Sequence, residues 1–129
     1  LSKIITEKDV LSVLDEYHQQ NLVNDLQKDA LTQKIIKIIH HPKLQKWYSN
    51  AVIVFNEREI VDVDNQVIIP DRLCFEEKAV TIIDYKTGAP SAEHAQQLLK
   101  YERVLLTMDF TINKKILVYI NDNIDVVMV

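Results

Sequence analysis

Cysteine, positive charge and long apolar runs are all scarce in this 129-residue chain. Its single cysteine, Cys74, excludes an internal disulfide, so nothing in the sequence requires an oxidising compartment. No apolar run approaches the roughly 18 to 20 residues that a membrane-spanning helix needs. The start of the chain also lacks a basic segment followed by an apolar one, the pattern of a secretion signal. We therefore expect a cytoplasmic protein with no membrane partner.

The charge balance is acidic, with a formal net charge of −4 at pH 7. This sign argues against a protein that holds DNA by phosphate neutralisation alone. It argues less against a catalytic domain, because carboxylates that bind a metal make a site acidic before the metal arrives. A tethered partner can then deliver the nucleic acid to such a site.

The length of the chain suits one domain with a hydrophobic core of its own. The chain opens at Leu1 without a methionine. We therefore expect residues 1–129 to form a single domain that has been excised from a longer protein.

Helical periodicity and capping residues predict three helices and one shorter turn. The first helix covers residues 7–20, and the second follows Asn24 and ends near His40, because Pro42 excludes the residue before it from a helix. A helical turn over residues 43–48 follows. The third helix covers residues 93–106 and carries four residues along one face: His94, Leu98, Tyr101 and Leu105.

Stretches rich in β-branched residues predict five strands. Three of them, residues 51–61, 66–75 and 79–86, are predicted to form a meander. Two more, residues 115–120 and 124–129, flank a hairpin turn at residues 121–123. The predicted order is ααβββαββ, an α/β fold with a central sheet flanked by helices.

Three residues in neighbouring strands have the chemistry of a hydrolytic metal site. Side chains alternate along a strand, so Asp84 and Lys86 project from the same face while Tyr85 points to the other. If the two strands pair, Asp71 reaches the same edge of the sheet. A divalent cation could then bridge the two carboxylates, with Lys86 beside the attacking water.

The irregularity before Asp71 supports this arrangement, because Pro70 cannot donate a ladder hydrogen bond and therefore marks an edge or bend. Isolated motifs of this kind also have a structural interpretation. In that alternative, Asp84 pairs with Lys86, or Asp71 with Arg72, as an ion pair without catalytic function.

A longer pattern favours the catalytic interpretation. It consists of Pro70-Asp71, then Asp84-Tyr85-Lys86-Thr87-Gly88 thirteen residues after Asp71, then a helix with Gln97-Leu98-Leu99-Lys100-Tyr101. This pattern, within about residues 52–119, resembles the PD-(D/E)XK nuclease superfamily and specifically its RecB-like branch. The resemblance implies a restriction-endonuclease-like fold and a domain that forms the C-terminal part of a larger helicase-nuclease.

The same resemblance implies roles for six residues. Asp71 and Asp84 would bind Mg²⁺ or Mn²⁺ through their carboxylates, and Tyr85 would add its backbone carbonyl. Lys86 would position or activate the attacking water and stabilise charge on the phosphate. Gln97 and Tyr101 would lie near the site and the DNA. The implied activity is metal-dependent DNA cleavage in DNA-end processing or recombinational repair, beside a helicase domain of the same polypeptide or a partner subunit.

One feature of RecB-like nucleases has no match in this chain. They resemble one another in having a metal-binding histidine on a helix that precedes the strands, and none of the four histidines corresponds to it: His18, His40, His41 and His94. We expect this ligand to lie just upstream of Leu1. The 129-residue chain alone should then bind metal weakly and show little or no nuclease activity.

The remaining candidates have a structural and a functional interpretation each. His40 and His41 favour a helix end over a ligand pair, and His94 favours a surface position over a phosphate contact. Glu57 and Glu59 would share a strand face, either solvated or supporting the site.

Five other residues are expected to be structural. Asp62 and Asp64 suit a turn, Cys74 suits the core, and Trp47 with Tyr48 favours core packing over base stacking. Two rival functions remain: a non-catalytic domain of the same fold that holds DNA or docks a partner, and an unrelated α/β binding module.

Overall fold

The computed structural model describes residues 24–129 together with Asp9, Asp15, Glu16, Gln19 and Gln20. The predicted helix over residues 7–20 lies largely outside the described residues. By its internal contacts the chain divides into two units, Leu1–Val52 and Ile53–Val129.

In the first unit, helix α1 covers Asp25–Ile39 and confirms the second predicted helix. A capping box starts it: Asn24 Oδ1 accepts from the Gln27 backbone N–H at 2.8 Å, and Gln27 Oε1 accepts from the Asn24 backbone N–H at 2.9 Å. The helix ends at His40, two residues before Pro42, where a continuing helix would clash with the proline ring. A 3₁₀-helix at Gln45–Tyr48 matches the predicted turn.

The second unit contains seven strands and one long helix. The strands are β1 Ile53–Asn56, β2 Ile60–Val61, β3 Val67–Ile68, β4 Arg72–Glu76, β5 Ala79–Lys86, β6 Thr111–Ile120 and β7 Ile124–Met128. Five of them form one sheet in the order β1-β4-β5-β6-β7, and β2 pairs with β3 in a separate hairpin. Only the β5–β6 pair within the large sheet is parallel. The fold is α/β with a mixed central sheet, as predicted.

The prediction of three strands before the last helix is wrong. Two of the predicted strands are each divided in two, and the breaks lie opposite each other. Glu57 takes a left-handed backbone conformation with φ of 52°, which a continuous strand cannot adopt. Across from it, Pro70 has no N–H to donate, and the Glu57 N–H instead bonds the Asp71 carbonyl at 3.1 Å. The outer part of the hairpin therefore separates from the sheet as β2 and β3.

Helix α2 covers Ala92–Thr107 and crosses between the parallel strands β5 and β6, packing against both. Its predicted inner face is confirmed, because Leu98, Tyr101 and Leu105 are buried in the main core of this unit. Gly88 has φ of 80° in the connection from β5, a conformation that favours glycine. Within the described part of the chain, no helix is both long and apolar enough to cross a membrane.

Candidate active site

The last residues of β5 bring a carboxylate and an ammonium group together. Asp84 and Lys86 lie on the same face of the strand, as the alternation predicts, and Lys86 Nζ lies 2.9 Å from Asp84 Oδ2. Asp84 is almost fully buried, with 2% of its surface exposed, whereas the Lys86 side chain retains 22%. The ion pair that the structural interpretation requires is therefore present, and its lysine end is open to solvent.

Asp71 joins this pair from the neighbouring strand. In the antiparallel β4–β5 ladder Arg72 stands opposite Ile83, so the next position along places Asp71 opposite Asp84. Asp71 Oδ2 accepts a hydrogen bond from the Tyr85 backbone N–H at 2.8 Å, which fixes the carboxylate beside β5. The prediction that both acids reach the same edge of the sheet is confirmed. The Tyr85 carbonyl remains a predicted ligand.

The electrostatics of this corner favour a cation. The pKa of Asp71 is raised from 3.8 to about 6, mainly by burial and then by the neighbouring Asp84 carboxyl. The Tyr85 N–H and the Lys86 charge act in the opposite direction without cancelling the rise. Two acids directly opposite each other on paired strands repel, and Lys86 offsets only part of this. Oxygen ligands from one or two carboxylates are what Mg²⁺ requires, so the residues fit the implied metal.

No third histidine, cysteine or acidic side chain completes a metal-binding group with these two acids among the residues that the structure describes. His18, one of the four histidines considered for that role, lies outside the described residues.

Helix α2 contributes the two residues that the sequence pattern placed near the site. Gln97 Oε1 accepts a hydrogen bond from Lys86 Nζ at 2.6 Å. Tyr101, one helical turn later, is buried, and burial raises its pKa to about 12, with the charges of Asp84 and Asp71 adding to the rise. Its hydroxyl therefore keeps its proton at neutral pH and can donate a hydrogen bond.

Lys86 is held from two sides, so the Gln97 contact should matter for activity. We expect Gln97→Met, which matches the side chain in size but removes the acceptor, to lower metal-dependent cleavage by about 10-fold because Lys86 loses one of its two anchors. Steady-state cleavage of a labelled oligonucleotide measures the effect. Gln97→Glu keeps an acceptor for Lys86 and should lose less, and equal losses in both variants would contradict the positioning role.

His94 occupies a different place from the predicted surface position. It is partly buried on α2, and its Nδ1 lies 2.9 Å from the Tyr119 hydroxyl. Tyr119 stands beside Lys86 in the parallel β5–β6 register. The helical period could place His94 on the inner face of α2. Its contact with Tyr119 depends on α2 crossing from β5 to β6, which the sequence alone does not show.

Two predictions about acids have different outcomes. Glu57 and Glu59 do not share a strand face, since both lie in the exposed segment between β1 and β2. The predicted turn at Asp62 is confirmed, because its Oδ1 accepts from the backbone N–H groups of Asp64 and Gln66, each at 2.8 Å.

Three structural interpretations are confirmed away from the site. His40 caps the end of α1, and His41 Nδ1 accepts from the Lys43 backbone N–H at 3.2 Å. Trp47 and Tyr48 are buried. Cys74 is also buried, and burial raises the pKa of its thiol.

Sequence reasoning did not single out a group of side chains that borders the site. A cleft of about 580 Å³ opens beside Lys86 between α2 and the segment that contains β3. Lys100 and Arg103 line it from the helix, and Val67 and Ile69 line it from the other side. The helical spacing of Lys100 and Arg103 is visible in the sequence, but the opposite wall depends on the break at Pro70.

No protein-family profile matches the chain, and no curated protein matches its sequence.

Proposed function

We propose that this chain is a divalent-cation-dependent deoxyribonuclease with a restriction-endonuclease-like arrangement of its sheet and helix. The observation that carries the proposal is the convergence of Asp71, Asp84 and Lys86 at one corner of the sheet, with Gln97 holding the lysine. Two opposed carboxylates are costly in a partly buried site, and a cation that needs oxygen ligands would relieve this cost.

The residues suit the requirements of phosphodiester hydrolysis. Asp71 and Asp84 would hold Mg²⁺ or Mn²⁺, which supplies charge neutralisation at the phosphate and a lowered pKa for water. Asp84 and Gln97 take two of the three Lys86 N–H groups. Nζ would donate the third to a phosphate oxygen, and its positive charge would lie beside the attacking water. Tyr101 would act as a neutral hydrogen-bond donor to the strand. We place the activity in DNA-end processing or recombinational repair, beside a helicase domain or subunit.

A second candidate is a non-catalytic domain that holds DNA or docks a partner. The observation in its favour is the Asp84–Lys86 ion pair, which gives the buried carboxylate a charged partner within the protein itself. It leaves Asp71, with its raised pKa, without a stabilising role, and this favours the nuclease.

A cleavage assay separates the two candidates. Single-stranded and duplex DNA are incubated with Mg²⁺, Mn²⁺ or EDTA, using the 129-residue chain and a longer version that continues upstream of Leu1. We expect cleavage only with a divalent cation, and a loss of about 10²-fold in Lys86→Ala because a charged donor to the phosphate is removed.

The matched control is Lys114→Ala, which removes an exposed lysine of β6 and should retain wild-type activity. Metal binding without cleavage in both chain lengths would favour the non-catalytic candidate. Equal cleavage by the wild type and Lys86→Ala would show that the catalyst is elsewhere.

A further inference from the structure

The cleft beside Lys86 has two chemically different walls. One wall is the exposed side of α2, and the other is formed by β3 and the residue that follows it. Lys86 is one of the lining residues, so the cleft reaches the place of the proposed chemistry. Any polymer cleaved at Lys86 must continue away from it, and this cleft opens directly from that point.

The helix wall carries two positively charged side chains without an ion pair among the described residues. Lys100 and Arg103 are exposed, and neither forms an ion pair or hydrogen bond with another described residue. They are three residues apart on one helix, so their Cβ atoms are about 5 to 6 Å from each other. Among the described residues that line this cleft, Glu93 is the only acid, against three Lys and Arg side chains. The lining is therefore positive in a chain whose net charge is −4.

The opposite wall is apolar. Val67 and Ile69 are 45% and 53% exposed, so both offer apolar surface to solvent in the cleft. An unpaired nucleotide strand presents phosphates on one side and base faces on the other, and base faces pack on apolar side chains. A duplex keeps its base faces stacked inside and offers phosphates alone to such a cleft.

Acidic residues limit how far the strand can follow the helix. A neighbouring cavity of about 330 Å³ shares Lys100 and Arg103 but is also lined by Asp62 and Asp64. Those carboxylates would repel phosphates, so a strand that enters at Lys86 should leave the cleft near Arg103.

We infer that the cleft between α2 and β3 binds one unpaired polynucleotide strand, with Lys100 and Arg103 contacting its phosphates and Val67 and Ile69 contacting its bases. The inference rests on the proposed nuclease function, because it extends the bound strand away from the scissile phosphate at Lys86. The four side chains that would contact the strand are separate from the proposed catalytic residues Asp71, Asp84 and Lys86.

Binding is tested without cleavage by fluorescence anisotropy in EDTA, using a labelled single-stranded DNA oligonucleotide, its duplex and a single-stranded RNA of the same sequence. We expect the single strands to bind more tightly than the duplex. Lys100→Gln with Arg103→Gln should weaken single-strand binding by about 10-fold or more and reduce the slope of log K against log salt by about 1.4, since each lost phosphate contact contributes about 0.7.

Two further variants distinguish the cleft from general electrostatic attraction. Lys78→Gln with Lys114→Gln makes the same charge change at exposed positions outside the cleft lining and should reduce affinity less than about two-fold. Val67→Ser with Ile69→Ser should weaken binding without changing the salt slope, because no charge is removed. Thermal unfolding checks that each variant is folded.

The inference would be overturned if the Lys100/Arg103 and Lys78/Lys114 double variants lost equal affinity for single strands, or if the wild type bound the duplex more tightly. The results that would contradict the cleft inference differ from those that would contradict the nuclease proposal. If the wild type cleaves DNA with a metal but the Lys100/Arg103 variant binds single strands as tightly as the wild type, only the inference about the cleft is contradicted. Binding through Lys100 and Arg103, with no cleavage by either chain length under any metal, would contradict the nuclease proposal alone.

Discussion

Asp84→Asn is expected to lower Mg²⁺-dependent DNA cleavage by about 10³-fold in the version of the chain that continues upstream of Leu1, the largest loss of activity that we predict. Asparagine keeps the size of the side chain but removes the charge that would bind the cation and hold Lys86. Without that charge, neither the water nor the phosphate is stabilised in the transition state. Single-turnover cleavage at saturating metal measures the chemical step directly.

The same substitution should change the stability of the fold little. Lys86 loses its ion pair but keeps Gln97, and Asp71 loses the repulsion of a neighbouring carboxylate. Removing one partner of a buried ion pair costs about 3 to 5 kcal/mol where nothing offsets the loss. Because the Gln97 contact and the relieved repulsion offset it here, urea unfolding should show only a small part of that cost. Asp109→Asn is the matched control, because it is an exposed acid just after α2, at the opposite end of β5 from the site. Full cleavage by Asp84→Asn would exclude Asp84 as a metal ligand.

Asp71→Asn is expected to stabilise the metal-free protein at pH 7.5 by about 1 to 2 kcal/mol, the largest predicted effect on folding. The full pKa difference corresponds to roughly 3 kcal/mol, and solvent around this half-buried carboxyl screens part of it. The folded state raises the pKa of Asp71 from 3.8 to about 6, so it binds a proton more tightly than the unfolded chain does. This contribution to stability is complete below pH 3.8 and is lost as the pH rises through about 6. Asparagine remains neutral throughout and avoids the loss.

Urea unfolding in EDTA at pH 3.5, 5 and 7.5 tests this dependence. The difference in unfolding free energy between Asp71→Asn and the wild type should be near zero at the lowest pH and largest at the highest. Mg²⁺ or Mn²⁺ should then stabilise the wild type at pH 7.5 and not the variant, because binding to the folded state adds to its stability. A difference that stays constant with pH would contradict the raised pKa of Asp71.

The two experiments address different properties of one pair of acids. Loss of cleavage in Asp84→Asn concerns the reaction, whereas the pH dependence of Asp71→Asn concerns the electrostatic cost of bringing two carboxylates together. A protein that keeps two opposed carboxylates at such a cost gains nothing in folding from them. This combination is typical of a binding or catalytic site rather than of a structural ion pair.

Local patterns were the most reliable part of the sequence interpretation. The boundaries of α1 and α2 follow from caps, Pro42 and the spacing of apolar residues, all of which act within a few residues. The shared face of Asp84 and Lys86 follows from the alternation along β5 alone. The single-domain organisation over residues 1–129 and the family assignment stay predictions.

The strand breaks could not be read from composition. Residues 51–61 and 66–75 have the β-branched content of continuous strands, and Pro70 indicates a bend without giving its partner. The left-handed conformation of Glu57 opposite Asp71 exists only because the two strands are paired in that register. The correct count of strands therefore required the tertiary structure.

The sequence by itself determined that an acid and a lysine share one face of a strand, and that a helix with Gln97 and Tyr101 on related positions follows. Both statements depend on the periods of a strand and a helix, which are local. Only the tertiary structure placed Asp71 opposite Asp84 and brought Gln97 to Lys86. The same long-range packing positioned β3 across from Lys100 and Arg103, because strand register and the crossing of a helix over a sheet join residues far apart in the chain.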